Sequence, residues 1–207
     1  VTTRLLFRIL SIFIGFPVWF FIGVLVALSR YFFQFEGVTT QEQVSQGVTY
    51  SYIGLSTGDL LCGLASQYFR NRKKVIFSYL LFSLVLMIIY LHYRDISFAT
   101  FKVMSFFAGV ATGFWALFVT NAAEQFGTNL RSTVTNTVPN FVRGAVVPIT
   151  FSFKYLTTQF AGPETSLPNQ GAVTAALIVG TCCILLAMAS LWYVKETFHE
   201  DLNYHEQ

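Results

Sequence analysis

Residues 70–95 read RNRKKVIFSYLLFSLVLMIIYLHYRD: a basic run, an apolar stretch from Val75 to Leu91 with no charged side chain, then His92, Arg94 and Asp95. A helix of about 20 apolar residues crosses the hydrocarbon core of a bilayer, which is roughly 30 Å thick. This stretch and its flanks have that length, and the charges sit at the two ends, where water begins. In hydrocarbon every backbone N–H and C=O must find its partner within the protein, which leaves helices and closed barrels. One unbroken apolar run, in place of alternating segments of about ten residues, selects the helix.

Working outward, the same pattern recurs. Six spans are expected: Leu5 to Tyr31, kinked at Pro17; Val48 to Phe69; Val75 to Leu91; Phe98 to Ala122; Ser132 to Tyr155; and Ala172 to Val194. The polar stretch Gln34 to Gln46 separates the first two, and a loop with Pro163 and Pro168 precedes the last. Of the 207 residues 54% are hydrophobic and 11% charged. A soluble domain carries about 25% charged residues, so these charges are too few to keep the chain in water. Mean hydropathy is +0.58. The fold class expected is an all-α integral membrane protein. The chain opens at Val1 and enters an apolar segment within a few residues, as a piece of a longer polypeptide would.

Lysine and arginine orient the spans. One side of the membrane receives Arg4, Arg8, the run Arg70, Arg72, Lys73 and Lys74, then Arg131 and Lys195. The other receives Arg30, Arg94, Lys102 and Lys154. The richer side is expected to be cytoplasmic, with both termini on it. The net charge of +3 then reflects topology and not nucleic-acid binding. The expected location is the plasma membrane, taken as a bacterial inner membrane.

Polarity is uneven among the spans. The third and sixth carry almost no polar side chains and are expected to face lipid. The second, fourth and fifth hold Asp59, Gln67, Asn121, Asn136, Asn140 and Arg143. Such groups are costly in a membrane unless they pair or line a wet path. Asn136, Asn140 and Arg143 fall at i, i+4 and i+7, on one stripe of one helix. Arg143 lies about 18 Å of helix beyond Arg131, deep in the hydrocarbon. The stripe reads either as a solute or coupling-ion contact that favours an anion, or as an internal ion pair holding the bundle. Asp59 reads either as a proton carrier or as a static partner of a cation. Trp115 is either packing or cavity wall, whereas Trp19 reads as core.

Gly54, Gly58 and Gly63, with Gly109 and Gly113, are expected to permit close helix approach. Pro139 and Pro148 interrupt the fifth span beside the polar stripe. Cys62, Cys182 and Cys183 sit in apolar segments and read as buried small hydrophobes. His92 and His199 have no metal-ligand cluster around them, and no nucleophile arrangement or phosphate loop is present in the sequence. No cofactor is expected.

Two signatures and a tail carry a family resemblance. Gly63-Leu-Ala-Ser-Gln67-Tyr-Phe-Arg70-Asn-Arg72-Lys73-Lys74 resembles the G-x-x-x-D-R-x-G-R-R/K loop that follows the eighth span of major facilitator superfamily transporters. Ala123-Glu124-Gln-Phe-Gly-Thr128-Asn-Leu-Arg131, with Arg143 and Pro148 beyond, is similar to the E-x-x-P-T-x-x-R loop between spans ten and eleven of the sugar and organic-ion carriers. Lys195-Glu196-Thr197 looks like the P-E-T after their last span. The chain departs from the pattern at Gln67 and Tyr68, where the family has Asp and Arg, and at Gly127, where it has Pro. The resemblance covers nearly the whole chain and implies the C-terminal six-helix half, spans seven to twelve of twelve, partnered by an N-terminal half. It implies a cavity lined by the first and fourth spans here, an interface on the second and fifth, and lipid around the third and sixth. It also implies conformational gating through Gln67, Arg70, Arg72, Lys73, Glu124 and Arg131, weakened at the uncharged Gln67.

The expected function is secondary transport of a small polar, partly anionic solute by alternating access, with a proton as candidate coupling ion. The solute contacts expected are Arg143, Asn140, Asn136, Asp59, Trp115 and Asn121. The alternatives are a non-transporting receptor or scaffold of the same fold and a membrane-embedded enzyme, the last lacking any clustered catalytic groups in the sequence.

Overall fold

A computed structural model describes residues 2–33, 38, 40–93, 97–160 and 170–198, with side chains from residue 9 onward except at residue 129. The described residues form helices joined by short turns, with no strand among them. They are α1 (Thr2–Phe20), continued by a π-helical segment (Phe21–Val26); α2 (Arg30–Phe33); α3 (Gln41–Phe69); α4 (Arg72–His92); α5 (Phe98–Ala111); α6 (Trp115–Glu124); α7 (Thr128–Gly144); α8 (Val146–Gln159); and α9 (Gln170–Tyr193). Among the described residues four stretches are long and apolar enough to cross a membrane: Ile9–Val26, Arg72–His92, Phe98–Glu124 and Gln170–Tyr193. The chain thus has the build of an all-helical membrane protein. In the places of the expected second and fifth spans stand α3 and the pair α7–α8, long but more polar. Arg94, Asp95, His199, the loop with Pro163 and Pro168, and most of 34–39 lie outside the described residues.

Helix α3 begins at Gln41, earlier than the expected Val48. The Thr40 hydroxyl accepts the Gln43 N–H at 3.3 Å and the Gln43 side chain accepts the Thr40 N–H at 3.1 Å. This reciprocal cap satisfies two free amides and starts the helix within the polar stretch. At its other end Arg70 adopts a left-handed conformation, φ 48°, and Asn71 at once caps α4 through the Lys74 N–H at 2.8 Å. The basic run therefore forms a tight turn between antiparallel helices.

Among the described residues three breaks interrupt the long helices, and at the first two a neighbouring side chain takes up a freed carbonyl. Past Pro17 the first helix widens, with Ala27 N–H reaching back to the Ile22 carbonyl, and the Tyr90 hydroxyl donates to the Leu25 carbonyl at 2.9 Å. Between α5 and α6 the ladder is lost at Thr112–Phe114; the Ala111 carbonyl there accepts from Ser83 of α4 at 2.9 Å. The fifth segment runs through Pro139 and breaks at Ala145, ahead of Pro148, whose missing N–H cannot serve the preceding turn. Irregular backbone at such depth is tolerated only where protein or water supplies partners.

Helices α3 and α5 touch backbone to backbone. A Cβ on Gly54 would strike the Phe106 carbonyl, and one on Gly113 would strike the Gly58 backbone. Gly63 does not belong to this contact: a Cβ there meets nothing within 4 Å among the described residues. The apolar core lies in two layers. One gathers Phe20, Phe33, Tyr90, Phe101 and Phe153; the other gathers Ile76, Leu80, Phe114, Phe118 and Val138 near the basic turn. Cys62 and Cys183 are buried, but Cys182 is exposed, because adjacent residues on α9 point to different sides and only one can face the bundle.

Candidate functional site

The period of α7 puts Asn136 and Asn140 one turn apart and Arg143 on the next turn, and the helix holds them there through its own carbonyls. Asn136 Nδ2 donates to the Ser132 carbonyl at 3.1 Å and Asn140 Nδ2 to the Asn136 carbonyl at 2.9 Å. These bonds leave the amide oxygens as outward acceptors, and Arg143 Nη1 reaches Asn140 Oδ1 at 3.5 Å. Opposite stands the start of α6, where the Trp115 ring lies 5.8 Å from the Arg143 guanidinium carbon. Such stacking holds a cation without neutralising it. Behind Trp115 the Trp19 ring packs edge-on at 6.1 Å.

Between these walls is an open pocket of about 470 Å³, lined also by Val119, Thr120, Thr135 and Pro139. Among the described residues no carboxylate forms an ion pair with Arg143. The internal pair that sequence reasoning set beside the solute contact is thus not formed among them. The arrangement can hold an anionic group on the guanidinium, an apolar face on the indole and hydroxyls on the amides.

Asp59 stands on the far side of the same helix start. Its Oδ1 accepts the Ala116 N–H at 2.9 Å, while Phe114 at the N-cap position offers no side-chain cap. A carboxylate from α3 thus closes the break in the fourth segment, favoured there by the helix dipole. Asp59→Ala is expected to cost about 1 kcal/mol of unfolding free energy. Asp59→Asn, whose amide oxygen still caps, should cost little, as thermal unfolding of the purified protein would show.

Asn121 lies elsewhere, on the cluster that holds the tail. It is buried, and its Nδ2 donates to Thr197 Oγ1 at 3.1 Å. The Thr197 hydroxyl donates to Glu124 Oε2 at 2.6 Å, and Glu124 Oε1 pairs with Arg72 Nη2 at 2.7 Å. Glu196 accepts the Arg72 and Lys73 backbone N–H groups, at 3.1 and 2.9 Å, covering the first turn of α4. Lys73 Nζ donates to the Trp192 carbonyl at 3.1 Å, and Gln125 Nε2 to the Lys195 carbonyl at 2.9 Å. The two loop signatures and the tail therefore meet in one clasp. Of the residues expected to gate, Arg72, Lys73 and Glu124 belong to it. Arg131 reaches the Phe126 carbonyl at 3.5 Å, while Gln67 and Arg70 are exposed. Sequence reasoning did not single out Thr120 and Thr135 as pocket residues, nor Ser83 at the break. Lone hydroxyls in a helix carry no signal until a partner is placed beside them.

Neither the protein-family models nor the curated proteins compared with the chain gave a match.

Proposed function

We propose that the chain is the C-terminal six-helix half of a secondary transporter of the major facilitator type, and that the pocket at Arg143 receives a small polar solute through an anionic group. The observation that carries this reading is an exposed guanidinium, stacked on Trp115 and reaching the Asn140 amide, with no ionic partner among the described residues; the fifth span proposed here would set it deep in the hydrocarbon. A cation at that depth is costly without compensation, and a bound anion supplies it. The pocket volume lies within the range of small-molecule sites, about 300–1,000 Å³. An N-terminal six-helix half would cover the polar wall, lipid the apolar one, and rocking of the halves would expose the pocket to each side in turn. The clasp of Arg72, Glu124 and the tail would hold one of the two states. Protons remain the candidate coupling ion, with Asp59 the group to test, since Asp59→Asn keeps the cap but cannot carry a proton.

The test compares solutes of the same ring shape that differ in one charge, such as galacturonate and galactose, glucuronate and glucose. For the purified full-length protein, Arg143→Gln should weaken binding of the acid by about tenfold or more, the strength of a charge-assisted hydrogen bond. Binding of the neutral partner should change far less, and Arg143→Lys should fall between. Equal losses for both solutes, or none for either, would remove the anion contact. Binding without uptake into proteoliposomes would instead support the receptor reading.

A further inference from the structure

Helices α4 and α9 expose apolar side chains along their length, Leu81, Val85 and Ile88 on one and Leu185 and Leu186 on the other. These are the faces a bilayer covers. Beside the basic turn the two helices part around a groove of about 550 Å³, graded from charged to apolar. At its mouth stand Lys73 and Lys74. Lys73 gives one hydrogen bond to the Trp192 carbonyl, so an ammonium with three donors keeps two. Lys74 is exposed and in no ion pair among the described residues. Deeper in, Phe77, Met188 and Leu191 form an apolar floor, and Trp192, 83% exposed on the last turn of α9, stands at the rim.

Two neighbouring charged groups are held by other partners, while Arg70 is exposed on the turn itself. Arg72 pairs with Glu124. Glu196, the carboxylate next to the groove, accepts the N–H groups of Arg72, Lys73, Thr197 and Phe198. Lys73 and Lys74 are thus left as two adjacent cations at the water boundary, above a floor that a free anion would not use. Interfacial tryptophan beside lysines is the composition that sits at lipid headgroups.

We propose that this groove binds an anionic phospholipid, its phosphodiester between Lys73 and Lys74 and the first acyl methylenes along Phe77, Met188 and Leu191. The inference rests on the lipid-facing helices alone and stands whether or not the chain transports a solute.

The purified full-length protein in neutral detergent is titrated with phosphatidylglycerol or phosphatidylcholine of the same acyl chains, and retained lipid is counted by native mass spectrometry. Wild type should hold phosphatidylglycerol about thirtyfold more tightly, from two lysines near a headgroup. Lys73→Gln/Lys74→Gln should bring it to the phosphatidylcholine level, while Lys154→Gln leaves the preference intact. Trp192→Ala should weaken both lipids together. If the double variant fails to fold, brominated phosphatidylglycerol should still quench wild-type fluorescence more than brominated phosphatidylcholine, and Trp192→Phe should abolish the difference. Equal binding of the two lipids, or a preference that survives the double substitution, overturns the proposal. So does displacement of the lipid by millimolar inorganic phosphate, which would mark a free-anion site, or exclusion of lipid by a second copy of the chain.

Discussion

Glu124→Ala is expected to destabilise the protein by about 3 kcal/mol, the low end of the cost of breaking a buried ion pair from one side. The pair it removes is well shielded, with side-chain exposures of 15% for Arg72 and 8% for Glu124. Arg72 Nε is buried and has no hydrogen-bond partner among the described residues, so the guanidinium depends on this carboxylate for compensation. Without Glu124 a cation is left in a low-dielectric site, and Thr197 loses the acceptor that holds the tail. The same substitution should free the residues after Val194 for proteolysis at temperatures where wild type resists. Arg72→Ala should cost a similar amount, since it strands the other partner. Replacing both by apolar residues of similar size, Arg72→Met with Glu124→Leu, should recover most of the loss, because neither charge is then stranded. Thermal unfolding of the four proteins in detergent measures all three expectations, and a double variant no more stable than either single one would show that the stranded charge is not the cause of the loss.

Gly109→Val should prevent folding altogether. A Cβ at this position falls against the Ser51 carbonyl and within 2.7 Å of the Leu55 nitrogen, both backbone atoms of α3. A side chain that met only flexible neighbours would cost about 1–3 kcal/mol of overpacking. Here no rotamer change relieves the clash, so the helices themselves must separate. Separation would pull Asp59 from the Ala116 amide and remove the support of the site. The expected result is loss of monodisperse protein on extraction. Gly63→Ala is the internal control, for it meets nothing and exchanges a poor helix former for a good one. If Gly109→Val purifies like wild type, the close crossing of α3 and α5 is wrong.

The contrast between these glycines shows where sequence reading stops. Gly109 and Gly113 share a face by their spacing of four, and Gly63, five residues after Gly58, falls on another face of α3; that the first face meets a backbone and the second open space is visible only with the partner helix in place. Spacing puts small residues on a face, but only the partner's position says whether that face is met. The polar stripe of α7 was legible because 3.6 residues per turn places Asn136, Asn140 and Arg143 together without reference to anything else. Trp115 was left undecided because its role depends on a helix start that no proline marks. Asn121 was grouped with the stripe on polarity alone; its partner turned out to be Thr197, a residue 76 positions away in sequence.

The sequence by itself determined what local chemistry decides. Long uncharged apolar runs must be helical in hydrocarbon, and polar residues spaced by the turn of a helix must share one face of it. Tertiary structure alone decided how the interrupted helices are completed and which polar groups meet. Asp59 and the Ala116 amide, Ser83 and the Ala111 carbonyl, Glu196 and the first turn of α4 are each joined across distant segments. A broken backbone bond creates a strong demand for a partner but names none, and the packing of neighbouring helices selects which side chain arrives.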